Sequence, residues 1–239
     1  MNNKTNSNFE KGGNKYVQTE MQLLILLLLN ISATSFADDN WCRDIAGSSG
    51  SYNLAIAVKS SSFYVDSDSE YPNTKVKNCP GVTDNCIDKY NHPVAKNTRL
   101  IVGKQYHNMI CAYDVANGTA GWLPVRAVRL EPETKSNDNQ ISGKWHSTTA
   151  EIVFTKKLGG YAVTGSAKWY GGPNGDIIHT GEFAANIAES EIKTGIGTLN
   201  DSDTGCRINF NLVANKYLVV DDNNQCGGVN VRFNDVFTR

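Results

Sequence analysis

The chain reads as all-β, organised as two small domains of short antiparallel strands. Three observations predict this. Apolar and polar side chains alternate along several runs, as in Ile208-Asn209-Phe210-Asn211-Leu212 and Tyr161-Ala162-Val163, the period of a strand with one buried face. Turn-forming residues recur between the runs, at Gly159-Gly160, Gly171 to Gly175, Asp201 to Gly205 and Gly227-Gly228. No helical period of useful length crosses the last 99 residues, 141–239.

Taken in order, residues 1–16 are polar, with Phe9 their one large apolar group before Tyr16. Met21 to Leu29 is almost purely apolar, and Ser35-Phe36-Ala37 supplies small residues where a secretory leader is cleaved. Asn30, Ser32, Thr34 and Ser35 break the run short of the roughly 20 apolar residues of a membrane span. The expected leader is 1–37, starting at Met1 or at Met21, with no stable membrane span after cleavage. The whole chain carries a formal charge of -1. Cleavage after Ala37 removes three Lys and two Glu, leaving 20 basic against 22 acidic residues, or -2. No global basic field is left to attract nucleic acid.

The first domain is expected over 38–130. Ser62-Phe63-Tyr64-Val65, Leu100-Ile101-Val102, Met109 to Tyr113 and Gly121-Trp122-Leu123-Pro124 read as strands joined by tight turns such as Asn117-Gly118. Pro124 lacks an amide donor and suits a strand edge; Val125 to Val128 then forms one helical turn. Lys96-Asn97-Thr98-Arg99-Leu100-Ile101-Val102-Gly103, a hairpin, Gly-Trp-aliphatic-Pro, a helical turn and a last strand together resemble the bacterial Src-homology-3-like domain. The resemblance extends over about 54–130 and is best from Lys96 to Leu130. It departs at Asp66-Ser67-Asp68-Ser69-Glu70 and at the long insert holding Cys79 and Cys86. It implies a small barrel, no catalysis, and a groove for a cell-wall peptide in which Trp122, Tyr64 and Tyr113 are the candidate ligand-binding residues. Trp122 reads first as a core residue covering one end of the barrel, with Gly121 bending the backbone ahead of it.

Glu131-Pro-Glu-Thr-Lys-Ser-Asn-Asp-Asn-Gln140 has no apolar side chain and reads as a linker, 131–140. The second domain, 141–239, is expected to hold seven or eight strands in an antiparallel barrel or sandwich. Its last strand is expected along Val229, Val231 and Phe233. Gly143-Lys144-Trp145 near its start, with Arg232 or Arg239 stacking on Trp145 from its end, resembles the calycin barrels. The wider pattern, Ser142-Gly-Lys-Trp145 to Cys226-Gly-Gly-Val-Asn-Val231 and a terminal aromatic-x-Arg, resembles an uncharacterised β-domain of exported proteobacterial proteins. That likeness implies no activity.

All six cysteines, Cys42, Cys79, Cys86, Cys111, Cys206 and Cys226, follow the expected cleavage point, and their even number reads as disulfides. A hairpin turning at Ala214-Asn215 brings Cys206 near Asn223 and so near Cys226. Of the three pairings open to the first four, Cys42–Cys111 with Cys79–Cys86 is preferred. Scattered cysteines without Cys-x-x-Cys argue against zinc. His179 to Glu182 reads as an exposed turn, and Asp66, Asp68 and Glu70 as a solvated turn. A cysteine nucleophile beside His107 would need a free thiol. No metal, cofactor or catalytic residue is expected. The chain is thus expected to be a periplasmic or secreted, non-enzymatic binding module of the bacterial envelope. Its partner is cell-wall peptide or peptidoglycan, or an envelope protein, with inhibition of a cell-wall-degrading enzyme as one form of this. The alternative is an envelope hydrolase whose residues converge only in space.

Overall fold

The computed structural model describes Cys42, Ile45 and residues 51–66, 87–106, 108–132 and 138–239. The expected leader, the bridge Cys79–Cys86, Asp68, Glu70 and His107 lie outside the described residues. Within them the chain is all-β: fifteen strands, and helical structure limited to 3-10 turns of three or four residues. Among the described residues no helix is long and apolar enough to cross a membrane.

The first body is a curled sheet of β1 (Asn53–Ala57), β2 (Ser61–Asp66), β3 (Ile87–Val94), β4 (Arg99–Tyr106), β5 (Met109–Asp114), β6 (Thr119–Pro124) and β7 (Val128–Leu130), in the spatial order β3-β2-β6-β5-β4-β1-β7. A 3-10 turn, Val125–Ala127, joins β6 to β7 as expected. The β4–β5 hairpin shifts register between Val102 and Gln105, which curls the sheet. Its core is Ala55, Ala57, Phe63, Val94, Leu100, Val102, Ile110, Ala112 and Leu123. Gly121 acts by absence of bulk and not by a bend: a Cβ there would lie 2.8 Å from the Phe63 Cβ. β1 was not foreseen. Its inward residues, Ala55 and Ala57, are too small to mark an alternation.

The second body is eight strands in chain order: β8 (Gly143–His146), β9 (Ala150–Lys157), β10 (Gly160–Gly171), β11 (Ile177–Ala188), β12 (Ile196–Asn200), β13 (Arg207–Val213), β14 (Tyr217–Asp222) and β15 (Asp235–Phe237). They make two four-stranded sheets, β11-β10-β9-β8 and β12-β13-β14-β15. The first and last strands meet where His146 and Thr238 exchange both backbone hydrogen bonds, at 2.8 and 2.9 Å. Both sheets contribute to one core, in which Phe154 packs edge-on to Phe210 (5.3 Å) and Phe183 to Phe233 (5.1 Å). The space between the two sheets is therefore filled by their own side chains.

Trp145 is fully buried, and its indole N–H donates to the Ile141 carbonyl at 2.8 Å. Arg239 covers the ring, its guanidinium carbon 4.3 Å from the centroid. Of the two candidate arginines the stacking one is Arg239; Arg232 is an exposed residue of the preceding loop. Gly143 has φ +116°, a conformation that favours glycine, and an added Cβ would meet nothing within 4 Å, so its role is backbone freedom.

The strand expected along Val229 to Phe233 is an irregular loop, and β15 begins only at Asp235. Two features take it out of the sheet. Asn224 and Asn230 adopt φ of +64° and +66°. The buried Asp222 carboxylate accepts from the amides of Asn224 (2.7 Å) and Phe233 (2.5 Å), folding the segment back onto β14. The expected linker is shorter at its far end, because a 3-10 turn, Asp138–Ile141, already leads into the barrel.

Two disulfides close the chain, Cys42–Cys111 and Cys206–Cys226, with Cα separations of 5.5 and 4.5 Å. The second follows from the hairpin register: Val213 pairs with Tyr217, and the Asn223 amide donates to the Arg207 carbonyl at 3.1 Å. These bonds fit an oxidising, extracellular-type environment.

The described residues, from Cys42 onward, fall in one compact unit. The two bodies share a third apolar cluster that joins Cys42, Ile45, Ile101, Met109, Cys111 and Trp122 to Val213, Tyr217, Val219 and Val236. They are not two independent beads on a tether.

Candidate functional site

β10 and β11 are twelve residues each, longer than any other strand. β9 pairs with β10 only as far as Ala150 opposite Ala167. The Lys168 amide still donates to the Thr149 carbonyl at 2.9 Å; beyond that point β10 and β11 pair only with each other in the sheet, through Trp169–His179, Tyr170–Ile178 and Gly171–Ile177. Three further pairs at about 3.4 Å per residue carry the hairpin roughly 10 Å past its neighbour. The tip turns at Gly172–Gly175, where both glycines have positive φ, +79° and +68°, and the Gly175 amide donates to the Gly172 carbonyl at 3.2 Å.

This arm has two unlike faces. On one, Trp169 and His179 stand directly opposite each other, ring centroids 5.2 Å apart. The end of the indole folds over Gly171, where any Cβ would overlap it. On the other, Tyr170 and Ile178 form an exposed cross-strand pair, 53% and 56% accessible; Ile177, 48% accessible and opposite Gly171, is on the Trp169–His179 face. Val229 adds a 69% exposed side chain from the neighbouring loop. Four of the eight exposed large apolar residues among those described thus belong to the arm and its neighbouring loop.

The disulfide loop braces the arm. Cys226, held by Cys206, is followed by Gly227 and Gly228, which lie against β11. A Cβ on Gly181 would fall 2.4 Å from the Cys226 carbonyl oxygen, and one on Gly227 would fall 2.6 Å from the Gly181 Cα. The Gly228 amide donates to the Thr180 carbonyl at 3.2 Å. His179 Nδ1 lies 2.6 Å from the Val229 carbonyl oxygen; that oxygen can only accept, so Nδ1 carries the proton. His179 and Glu182 therefore sit within a strand and not in a turn.

A concavity lies on the outer face of β9, β10 and β11, an open trough of about 480 Å³. Its floor is Thr164, Gly165, Ser166 and Ala184, and its rim holds Glu151, Glu182, Asp201 and Asp203. Asp201 accepts from the amides of Ala184 (3.2 Å), Asp203 (3.0 Å) and Thr204 (3.4 Å). Those hydrogen bonds, Ala184 foremost, hold its carboxyl below the usual range. Glu151 is paired with Lys144 at 2.5 Å. No imidazole lines the trough. Among the described residues no three His, Cys, Asp or Glu side chains are grouped to hold a metal.

Comparison with known proteins returned no match to this chain, neither to a protein-family model, nor to a curated protein, nor to a solved structure.

Of the three aromatic residues expected to line a groove, Trp122 is buried, and Tyr64 and Tyr113 are half-buried against the same cluster. Tyr64 pairs across from Trp122. Burial, with Asp235 and Asp114 nearby, pushes the Tyr113 hydroxyl up to about 12. The arm was not singled out from sequence. The available signal was the Gly-Gly-Pro-Asn-Gly turn flanked by apolar residues on both sides, Trp169-Tyr170 and Ile177-Ile178.

Proposed function

We propose that this chain is an exported, non-enzymatic binding protein that engages a protein partner through the β10–β11 arm. The observation that carries this reading is the exposed Tyr170–Ile177–Ile178 tip on a hairpin cross-braced by the Cys206–Cys226 loop. A convex apolar tip fits a concave surface on the partner, such as the cleft of an envelope enzyme. Bracing favours that use, because little conformational freedom is lost when a rigid element binds. The two disulfides support an oxidising compartment such as the periplasm or the exterior. A hydrolytic reading has the acidic trough in its favour. It is the weaker reading, since Asp201 is committed to backbone amides and held ionised, unsuited to act as a general acid.

The test compares wild type with Tyr170→Ala/Ile178→Asp. Both proteins are immobilised and challenged with envelope extract and, separately, with insoluble peptidoglycan. The expected result is a protein that co-elutes with wild type in gel filtration and binds the variant at least tenfold more weakly, with the thermal midpoint unchanged. Equal capture by the two proteins, or retention by peptidoglycan alone, overturns the reading.

A further inference from the structure

The apolar pair of the arm and the acidic trough lie on one face of the same two strands. Odd-numbered residues of β10 and β11, such as Val163, Ala167, Phe183 and Ile187, belong to the core, so the even-numbered ones face outward. The outward residues stand in cross-strand rows. Tyr170–Ile178 is at the tip, Lys168–Thr180 comes next, and Ser166–Glu182 lies at the trough. Rows two residues apart are separated by roughly 7 Å, so the tip pair and the trough are roughly 14 Å apart.

Each row has its own chemistry. The first is apolar and more than half exposed. The second carries a cation, Lys168. The third is acidic, because Glu151 of β9 and Glu182 of β11 flank the short Ser166 between them. Asp201, bonded to the Ala184 amide of β11, closes the trough on that side with Asp203. Glu151 is paired with Lys144. Lys168 and Glu182 are exposed, and neither has an ionic partner within 4 Å among the described residues. The serine and threonine floor leaves room for a side chain to enter between the carboxylates. Opposite charges held in a fixed order on a braced strand pair set the register of whatever lies across them.

We propose that this face docks an extended segment of a protein partner whose alternate side chains run apolar, acidic, basic from the tip inward. The apolar side chain covers Tyr170 and Ile178, the acidic one meets Lys168, and the basic one enters the trough at Glu182. The proposal rests on the arm being the binding element and adds the chemistry of what it binds. An extended chain fits because its alternate side chains repeat at the spacing of the rows. A segment with its two charges exchanged meets like charge at both rows, which discriminates against it.

The test titrates the isotope-labelled mature chain, both disulfides formed, with two synthetic peptides of identical composition, followed by amide shifts in NMR. One is Thr-Leu-Thr-Glu-Thr-Arg-Thr and the other Thr-Leu-Thr-Arg-Thr-Glu-Thr, each made in both chain directions. The first order, in one of its directions, is expected to shift Tyr170, Ile178 and Glu182. It should bind about fivefold more tightly than the second order at low salt, with the preference shrinking at high salt. Lys168→Glu/Glu182→Lys, an exchange of two exposed side chains, is expected to reverse the preference. Equal binding of the two orders at Tyr170 and Ile178 overturns the charge order and leaves the arm as the binding element, as does a preference that the exchanged variant keeps. Peptides that shift neither Tyr170 nor Ile178 at millimolar concentration overturn the proposal, and the arm is then judged by the capture experiment with Tyr170→Ala/Ile178→Asp.

Discussion

The second body's core and the seam between the bodies are both apolar and both buried, yet they are built from different residues. In the core, Phe154, Phe183, Phe210 and Phe233 meet edge-on with no polar atom to satisfy. In the seam, tyrosines surround a single tryptophan, and two groups that prefer water lie close by: the Tyr113 hydroxyl and the Asp235 carboxyl. Burial pushes the Asp235 carboxyl above its usual range, partly offset by the Val236 amide. The buried Ser147 hydroxyl approaches Asp235 without reaching good hydrogen-bond geometry. The contrast teaches that burial alone does not define a core. A phenylalanine pair asks only for apolar contact, whereas a buried tyrosine also needs a partner or solvent for its hydroxyl.

The disulfides offer the strongest way to break this comparison. Cys42–Cys111 spans a separation of 69 residues and Cys206–Cys226 one of 20. By the chain-entropy estimate, Cys42→Ser/Cys111→Ser loses about 4 kcal/mol and Cys206→Ser/Cys226→Ser about 3 kcal/mol, read by urea unfolding. Only the second pair should also loosen the arm, seen as faster amide exchange at 177–181. Next is Gly165→Ala. Its Cβ would fall 2.0 Å from the Phe183 ring, so overpacking is expected to cost about 1–3 kcal/mol and to leave the seam intact. Arg239→Ala removes the guanidinium over Trp145; about 1 kcal/mol is expected, with most of it retained in Arg239→Lys.

The smallest effect is electrostatic. Because Asp235 and Asp221 have raised carboxyl values, chiefly through burial, the folded chain binds more protons than the unfolded one just above the ordinary carboxylate range. Stability therefore rises as pH falls from neutral through the raised folded values toward the unfolded one. Asp201 works the other way. Its lowered carboxyl contributes stability above the ordinary value and loses it as pH drops through the folded one. Thermal midpoints of wild type should therefore climb on mild acidification and fall on strong acidification. Asp235→Asn should flatten the climb; an unchanged climb removes Asp235 as its source.

Much of the architecture was legible from residues a few positions apart. The alternation along Tyr161 to Ala167 and Ile208 to Leu212, and the turn at Ala214-Asn215, read correctly because each depends on neighbours within one hairpin. The same short range misled at Val229 to Phe233, where the pattern alternates but Asp222, eleven residues before Phe233, ties the segment into a loop. The arm was hidden for a related reason. Nothing within β10 announces that β9 stops opposite Ala167 while β11 continues.

The sequence by itself determined the period of each strand, the places where the chain turns, and the pairing of Cys206 with Cys226. Only the tertiary structure decided what covers each apolar face: Arg239 over Trp145, the Cys226 loop against the arm, and the β13–β14 hairpin on the Trp122 face. The division has a physical cause. Backbone sterics and side-chain alternation act between near neighbours, so they are written locally. Apolar burial is non-directional and asks only for some complementary surface, and which surface arrives is settled when distant segments pack together.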